Sequence, residues 1–200
     1  MVEKLVVGDF QTNTYIISNG NDCILIDPGL DFELYANQIK QKYNVQAVLL
    51  THGHMDHIDG IRYFDVPIYI HEAEIDFLTD PSLSLYRMFG TKIPFEVNNL
   101  KLIPLRDGME FNLIGYAFKV YHTPGHTKGS VVYTYNHKLF SGDTLFHLSM
   151  GRTDFPTGNA KKMKESLKRI IELFPDSTDV YPGHDEKTIL GFERKNNPYL

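Results

Sequence analysis

Cysteine is nearly absent: Cys23 is the only one in 200 residues. That excludes an intramolecular disulfide framework and makes a reducing compartment the expected setting. Long apolar runs are missing too. No stretch reaches the ~18 apolar residues that a membrane span requires, and Met1 to Val7 is too short and too charged for the apolar core of a secretory signal. There is no excess of basic charge, because the formal net charge is −5 with neutral histidines. A duplex nucleic-acid binder would show a basic face. Low-complexity segments and linkers are likewise lacking. These absences leave a soluble, cytoplasmic protein as the expectation, without a nucleic-acid or membrane partner.

What is present is ordinary in bulk and unusual in one count. A hydrophobic fraction of 42% and a charged fraction of 22% suit a globular chain, and 200 residues fit one domain, 1–200, with a sizeable core. Nine histidines need a reason. Three of them fall with an aspartate in the run Thr51-His52-Gly53-His54-Met55-Asp56-His57, directly after the apolar stretch Val45 to Leu50. That stretch reads as a buried strand ending at the first histidine. In extended chain His52 and His54 point to one side, and Asp56 and His57 sit where a turn enters a helix, 56–64. Such a run can face two separate metal ions.

Along the chain, Leu5 to Val7 and Thr14 to Ile17 read as strands, and Cys23 to Ile26 returns after the turn at residues 18–22. Cys23 is then a small core residue. Asp27-Pro28-Gly29 ends this hairpin. A helix is predicted over 31–43 with Asp31 as its N-cap, a short strand over 66–70 and a helix over 72–78. Residues 79–99, broken by Pro81, Gly90 and Pro94, read as a loop packed on the core, an oligomer contact or a flap over a site. From Lys101 the chain alternates again as strands, with a hairpin around Asn136-His137. An amphipathic helix over 159–174 is stopped by Pro175, and a last strand runs over 179–181. Strands followed by helices, twice over, predict an α/β sandwich with two sheets inside and helices outside.

Three later loops each place a candidate ligand just after a strand: His126 in Thr123-Pro124-Gly125-His126-Thr127, Asp143 in Ser141-Gly142-Asp143-Thr144, and His184 in Pro182-Gly183-His184. Small and rigid neighbours allow tight turns there, and strand ends on a rigid scaffold suit a pre-organised site. His71, His122 and His137 have no place in these runs.

Together, Asp27-Pro28-Gly29, His52-x-His54-x-Asp56-His57, Pro124-Gly125-His126-Thr127, the run 141–146 and Pro182-Gly183-His184 resemble the metallo-β-lactamase-fold hydrolases of the glyoxalase II group, the hydroxyacylglutathione hydrolases and their short bacterial relatives. The resemblance covers most of the chain in family order. It implies an αββα fold and two divalent ions per chain. One ion would be held by His52, His54 and His126 and the other by Asp56, His57 and His184, with Asp143 bridging them alongside a water or hydroxide. Asp27 would fix a ligand imidazole from behind. Imidazole and carboxylate ligands suit zinc, iron or manganese, so ligand type alone does not choose the metal; zinc is the first expectation. The implied chemistry is attack of a hydroxide on a thioester carbonyl, oriented by Asp56 and Asp143.

Substrate is less clearly written. The resemblance points to a small molecule, a glutathione thioester. Only residues 185–200 follow His184, so the C-terminal helical domain of the larger members, which carries glutathione contacts, has no counterpart here. The run Met150-Gly151-Arg152-Thr153-Asp154-Phe155-Pro156 resembles the short bacterial branch instead. Arg152 is a candidate for a substrate carboxylate, or else the partner of Asp154, and His147 is a second candidate contact. The same Gly-Arg-Thr-Asp-Phe run occurs in persulfide dioxygenases. Resemblance to these implies a single iron on two histidines and the aspartate at position 143, so an oxidoreductase is the alternative. Lactone hydrolase and β-lactamase readings rank lower. A ribonuclease would need an RNA-docking arm, and a non-catalytic binding module would tend to lose ligands, whereas none is missing.

Overall fold

Successive residues of the central strands point into different apolar layers, which is why those strands read as continuous hydrophobic runs. In the computed structural model, which describes residues 1–200, the strands are β1 (Val2–Val7), β2 (Thr12–Asn19), β3 (Asp22–Ile26), β4 (Asn44–Leu49), β5 (Pro67–His71), β6 (Lys101–Leu105), β7 (Glu110–Leu113), β8 (Tyr116–His122), β9 (Val131–Tyr135), β10 (Lys138–Gly142), β11 (Leu145–Phe146), β12 (Ser149–Met150), β13 (Asp179–Pro182) and β14 (Thr188–Ile189). The first sheet has the order β1-β2-β3-β4-β5-β6 and the second the order β14-β13-β10-β9-β8-β7, while β11 and β12 form a separate ribbon. Pairing in the first sheet is antiparallel up to β3 and parallel from there to β6. In the second sheet only β10 with β13 is parallel.

Burial separates the layers residue by residue. In β3, Cys23 and Leu25 pack with Phe32, Ala36 and Ile39 on the outer side of the first sheet. Ile24 and Ile26 face the opposite way, into the layer between the sheets, where they meet Val120, Tyr133 and Phe140. Val132 and Leu139 turn outward again, onto Met163, Leu167 and Ile170. Helix α1 (Glu33–Lys42) thus covers one sheet, and α3 (Ala160–Leu173) with α4 (Leu190–Asn196) covers the other. This is the expected αββα sandwich. No helix is long and apolar enough to cross a membrane.

Local expectations held unevenly. Helix α3 begins where its amphipathic pattern does, and the Asn159 side chain caps it by accepting from Lys162 N at 3.0 Å. Asn136 and His137 both adopt positive φ, 45° and 60°, as a two-residue type I′ hairpin requires. Asp31 is not an N-cap. It adopts φ 55° outside the helix, and Phe32 occupies the cap position without a side-chain bond. The helix expected over 56–64 is one turn, α2 (Met55–Ile58), continued as a 3₁₀ segment over Asp59–Tyr63. Residues 72–78 are likewise 3₁₀. Residues 79–99 form a loop anchored by Tyr86, which is buried and donates its hydroxyl to Asp59 at 2.9 Å. Met55 N donates to Ser84 O at 2.9 Å, so this loop is tied to α2 as well.

Candidate metal centre

The loop leaving β4 carries the His52 to His57 run into the gap between the sheets. Its anchor is Asp27, buried at the end of β3 with φ 51°. One carboxylate there accepts from Thr51 N at 2.7 Å, Thr51 Oγ1 at 2.6 Å and His57 Nδ1 at 2.9 Å. Asp27 thus joins the Thr51 backbone and hydroxyl to the His57 ring. Gly53 is pressed against the 3₁₀ segment 72–78, where a Cβ would lie 2.4 Å from Phe77 Cβ. Glu74 of that segment is fully buried and accepts from Gly53 N at 2.8 Å and Gly129 N at 2.7 Å. It joins the loop of His52 and His54 to the loop of His126. Burial pushes its carboxyl up to about 7, against the donors of Thr127, Gly53 and Gly129.

The second sheet supplies the remaining groups from the ends of β8, β10 and β13. Gly183 allows a close approach: a Cβ there would lie 2.2 Å from Asp143 Oδ1 and 2.8 Å from His57 Cε1. Besides Asp27 with His52 and His57, where the carboxylate is already taken by Thr51 and His57 Nδ1, two clusters of potential ligand atoms result, His52 with His54 and His126, and Asp56 with His57 and His184, each gathered within 4.8 Å. Asp143 stands between them. Its Oδ1 is 3.3 Å from His57 Nε2, and its Oδ2 is 3.4 Å from His126 Nε2 and 3.6 Å from His184 Nε2.

Hydrogen bonds behind the rings decide which nitrogens face inward. A carbonyl only accepts, so His126 Nδ1 carries a proton toward Arg152 O at 2.7 Å and His184 Nδ1 one toward Phe10 O at 3.1 Å. Their Nε2 atoms are thereby turned toward the centre. Thr12 Oγ1 donates to Asp56 Oδ2 at 2.9 Å. Burial, together with neighbouring imidazoles, pushes His52 and His54 well below the ordinary histidine range. Burial opposes ionisation of Asp143, yet the imidazoles of His184, His57 and His126 hold its carboxyl well below the usual carboxylate range. Conversely, although burial opposes it, nearby carboxylates raise His57 to about 9 and His184 to about 11. His52 Nε2, His54 Nε2 and Asp143 Oδ1 are buried without a hydrogen-bond partner. Orphaned buried donor atoms on a converging imidazole–carboxylate set fit divalent cations.

The centre opens into a cavity of about 460 Å³. Phe10, Met55, Leu85, Phe89, Phe146 and Phe155 supply much of its wall, with Arg152 and Asp185 also on it. Residues 79–99 thus contribute a wall through Leu85 and Phe89. Arg152 reaches the cavity, but its Nε and Nη2 are bonded to the two carboxylate oxygens of Asp154, both at 2.7 Å. His147 does not reach it. Its Nδ1 pairs with Glu193 at 3.1 Å and its ring stacks on Phe192, because the Glu193 carboxylate, fully buried, gathers Leu148 N and Thr188 Oγ1 to the same place. Thr12, Glu74 and the Phe10 carbonyl were missed from sequence. The only available signal was the polar run Thr12-Asn13-Thr14, which opens β2 and is buried.

The model of the metallo-beta-lactamase superfamily matches residues 7–184. The chain belongs to that superfamily. Among its relatives, the probable metallo-hydrolase YqgX of Bacillus subtilis (strain 168) is 34% identical, over 98% of this chain and 96% of its own. The hydroxyacylglutathione hydrolase GloC of Haemophilus influenzae (strain ATCC 51907 / DSM 11121 / KW20 / Rd) is 31% identical over 100% and 97%. Of solved structures, BLEG-1 B3 metallo-beta-lactamase superposes with a TM-score of 0.89 at 35% identity, covering 100% of this chain and 99% of that one. TTHA1623 in a di-iron-bound form gives 0.85 at 36%, with both chains covered fully. ETHE1 from Myxococcus xanthus gives 0.78 at 28%, covering 99% and 83%. The αββα architecture is that of this superfamily.

Proposed function

We propose that residues 1–200 form one metallo-β-lactamase-like domain, a cytoplasmic dinuclear-metal hydrolase that cleaves small-molecule thioesters in the manner of the glyoxalase II group. The observation that carries the reading is the pair of complete ligand clusters joined by Asp143, with orphaned buried atoms at its centre and a substrate-sized cavity above it. His52, His54 and His126 would hold one ion, and Asp56, His57 and His184 the other. Zinc is the first candidate, with iron or manganese also suited to these donors. Bound there, the ions would supply an acidified water and a positive seat for the carbonyl oxygen.

The chain's own residues do the rest. Asp143 stands between the clusters, with Oδ1 toward His57 and Oδ2 toward both His126 and His184. Asp27 holds the His57 ring by its Nδ1 proton, and the Arg152 and Phe10 carbonyls do the same for His126 and His184. Thr12 steadies the Asp56 carboxylate so that one oxygen is directed at the centre. The apolar walls exclude bulk water from the approach of the ester. The likeness to GloC supports hydroxyacylglutathione-type thioesters as the first substrates to try.

The persulfide dioxygenase alternative is favoured by the likeness to ETHE1 and by the Gly151 to Phe155 run beside the centre. The completeness of the Asp56, His57 and His184 cluster favours the hydrolase. Elemental analysis of protein purified without added metal, run beside S-D-lactoylglutathione hydrolysis and glutathione persulfide oxidation, separates them. Two metals per chain with hydrolysis is expected. One iron with oxygen uptake would replace this reading by the dioxygenase.

A further inference from the structure

The cavity wall has a chemical character that the ligand clusters do not dictate. Phe10 comes from the turn between β1 and β2, where Gln11 adopts φ 54° and donates its N–H to Gly8 O at 3.1 Å. Phe89 comes from the loop 79–99, 79 residues further along the chain. The two rings meet edge to face with centroids 5.0 Å apart, although 40% of Phe10 and 46% of Phe89 remain exposed at the mouth. Deeper in, Phe155 sets its ring against His54 at 5.7 Å and Phe146 against His184 at 5.8 Å. Aromatic surface therefore runs from the mouth down to ligands of both clusters.

Charge on this wall is sparse. Arg152 is its sole lysine or arginine. The guanidinium is engaged in fork geometry by Asp154 and lies over the Phe155 ring, 3.9 Å from its centroid. Beyond the candidate ligands, the other charged wall residue is Asp185, a carboxylate. A glutathione arm brings two carboxylates and an ammonium to a surface that offers one cation, already paired, and one anion.

We propose that the arm of the thioester seated on this wall is uncharged and apolar, and that Phe10 and Phe89 are its specificity-determining residues. This rests on the thioester-hydrolase reading above. An exposed aromatic pair leaves water when such an arm binds, and that burial is the gain. Phe10 also offers its carbonyl to His184, so the turn that seats the arm is the one that orients a ligand of the centre.

The test compares one acyl group on two thiols of similar acidity: S-D-lactoylglutathione and the S-lactoyl thioester of benzyl mercaptan, with metal-loaded full-length protein. The benzyl thioester is expected to have the higher kcat/KM by roughly tenfold or more. Phe10→Ala and Phe89→Ala are each expected to narrow that ratio through KM, with metal content unchanged. Calorimetry of a non-hydrolysable benzyl ketone analogue with metal-free protein should show binding that both substitutions weaken. Preference for the glutathione thioester, or its selective loss in Arg152→Ala, would overturn the proposal. If two metals are bound and neither thioester is cleaved, the hydrolase reading fails, while the calorimetry still decides whether the wall seats an apolar arm.

Discussion

Asp27 shows how much of the centre depends on a single carboxylate set behind the His52 to His57 run. It takes three hydrogen bonds, two from Thr51 and one from His57. Asn keeps the shape and tolerates the positive φ, but its amide nitrogen must face one of three donors. Asp27→Asn is therefore expected to fold and to lose about 10- to 100-fold in metal affinity, with His57's cluster most affected. Competition against a chromophoric chelator measures this, and unchanged affinity would remove Asp27 from the account. Arg152 teaches the opposite lesson at the same scale. Its type and position suggested a substrate contact, while the nearest carboxylate, Asp154, stands two residues away and already holds its fork.

The 3₁₀ segment 72–78 carries no recognised motif, yet it supports both loops of the first cluster. Glu74→Gln substitutes an amide N–H₂ for one acceptor, opposite the N–H of Gly53 or Gly129. A stepwise metal titration should then show weaker binding, by roughly tenfold, at His52, His54 and His126, and a smaller effect at the other cluster. At the start of the same segment, His71 stacks on His122 with centroids 4.2 Å apart and accepts from Ala73 N. Burial first, and the facing His122 imidazole second, lower its pKa to about 4, while Glu72 and Asp107 oppose the shift. The fold favours the neutral ring. Its stabilising contribution is thus complete above the ordinary value of 6.5 and is lost as pH falls through about 4. Urea midpoints in chelator are expected to drop across that window, and less steeply in His71→Asn, which keeps an acceptor for Ala73. Equal slopes would show that His71 is not the group involved.

Across the whole molecule the two sheets are fastened around the centre. Asn13 N donates to Gly183 O at 2.7 Å, Val131 N to Thr51 O at 2.9 Å, and Tyr133 OH to Leu50 O at 2.7 Å. Residues 52–57 come from the first sheet, and His126, Asp143 and His184 from the second, so ions held there would clip the sandwich shut. A metal at about a hundred times its Kd adds about 2.7 kcal/mol per site, which for a chain of this size is roughly 5–10 °C in Tm. Chelator-stripped protein is expected to melt lower by at least that amount in calorimetry and to recover on re-addition of zinc. An unchanged Tm would argue against ions bridging the sheets.

The seven candidate ligands stand out in the sequence because they fall in short runs after strands, with His52, His54, His126, Asp143 and His184 each beside a glycine, and such local order is written in consecutive positions. The same holds for α3, whose apolar stripe repeats within one helix, and for the Asn136-His137 turn. The layered sandwich could be inferred too, since strands buried on both faces leave continuous apolar runs. Contacts across long separations were not legible. Thr12 reaches Asp56 over 44 residues and the Phe10 carbonyl reaches His184 over 174, distances at which spacing carries no geometric information. His147, adjacent in sequence to the Asp143 loop, is drawn away by Glu193. By itself the sequence determined the candidate donor atoms and their order along the chain. Only packing of the two sheets decided which side chains support those atoms and which aromatic rings stand over them, because both depend on loops that meet only when the sandwich closes.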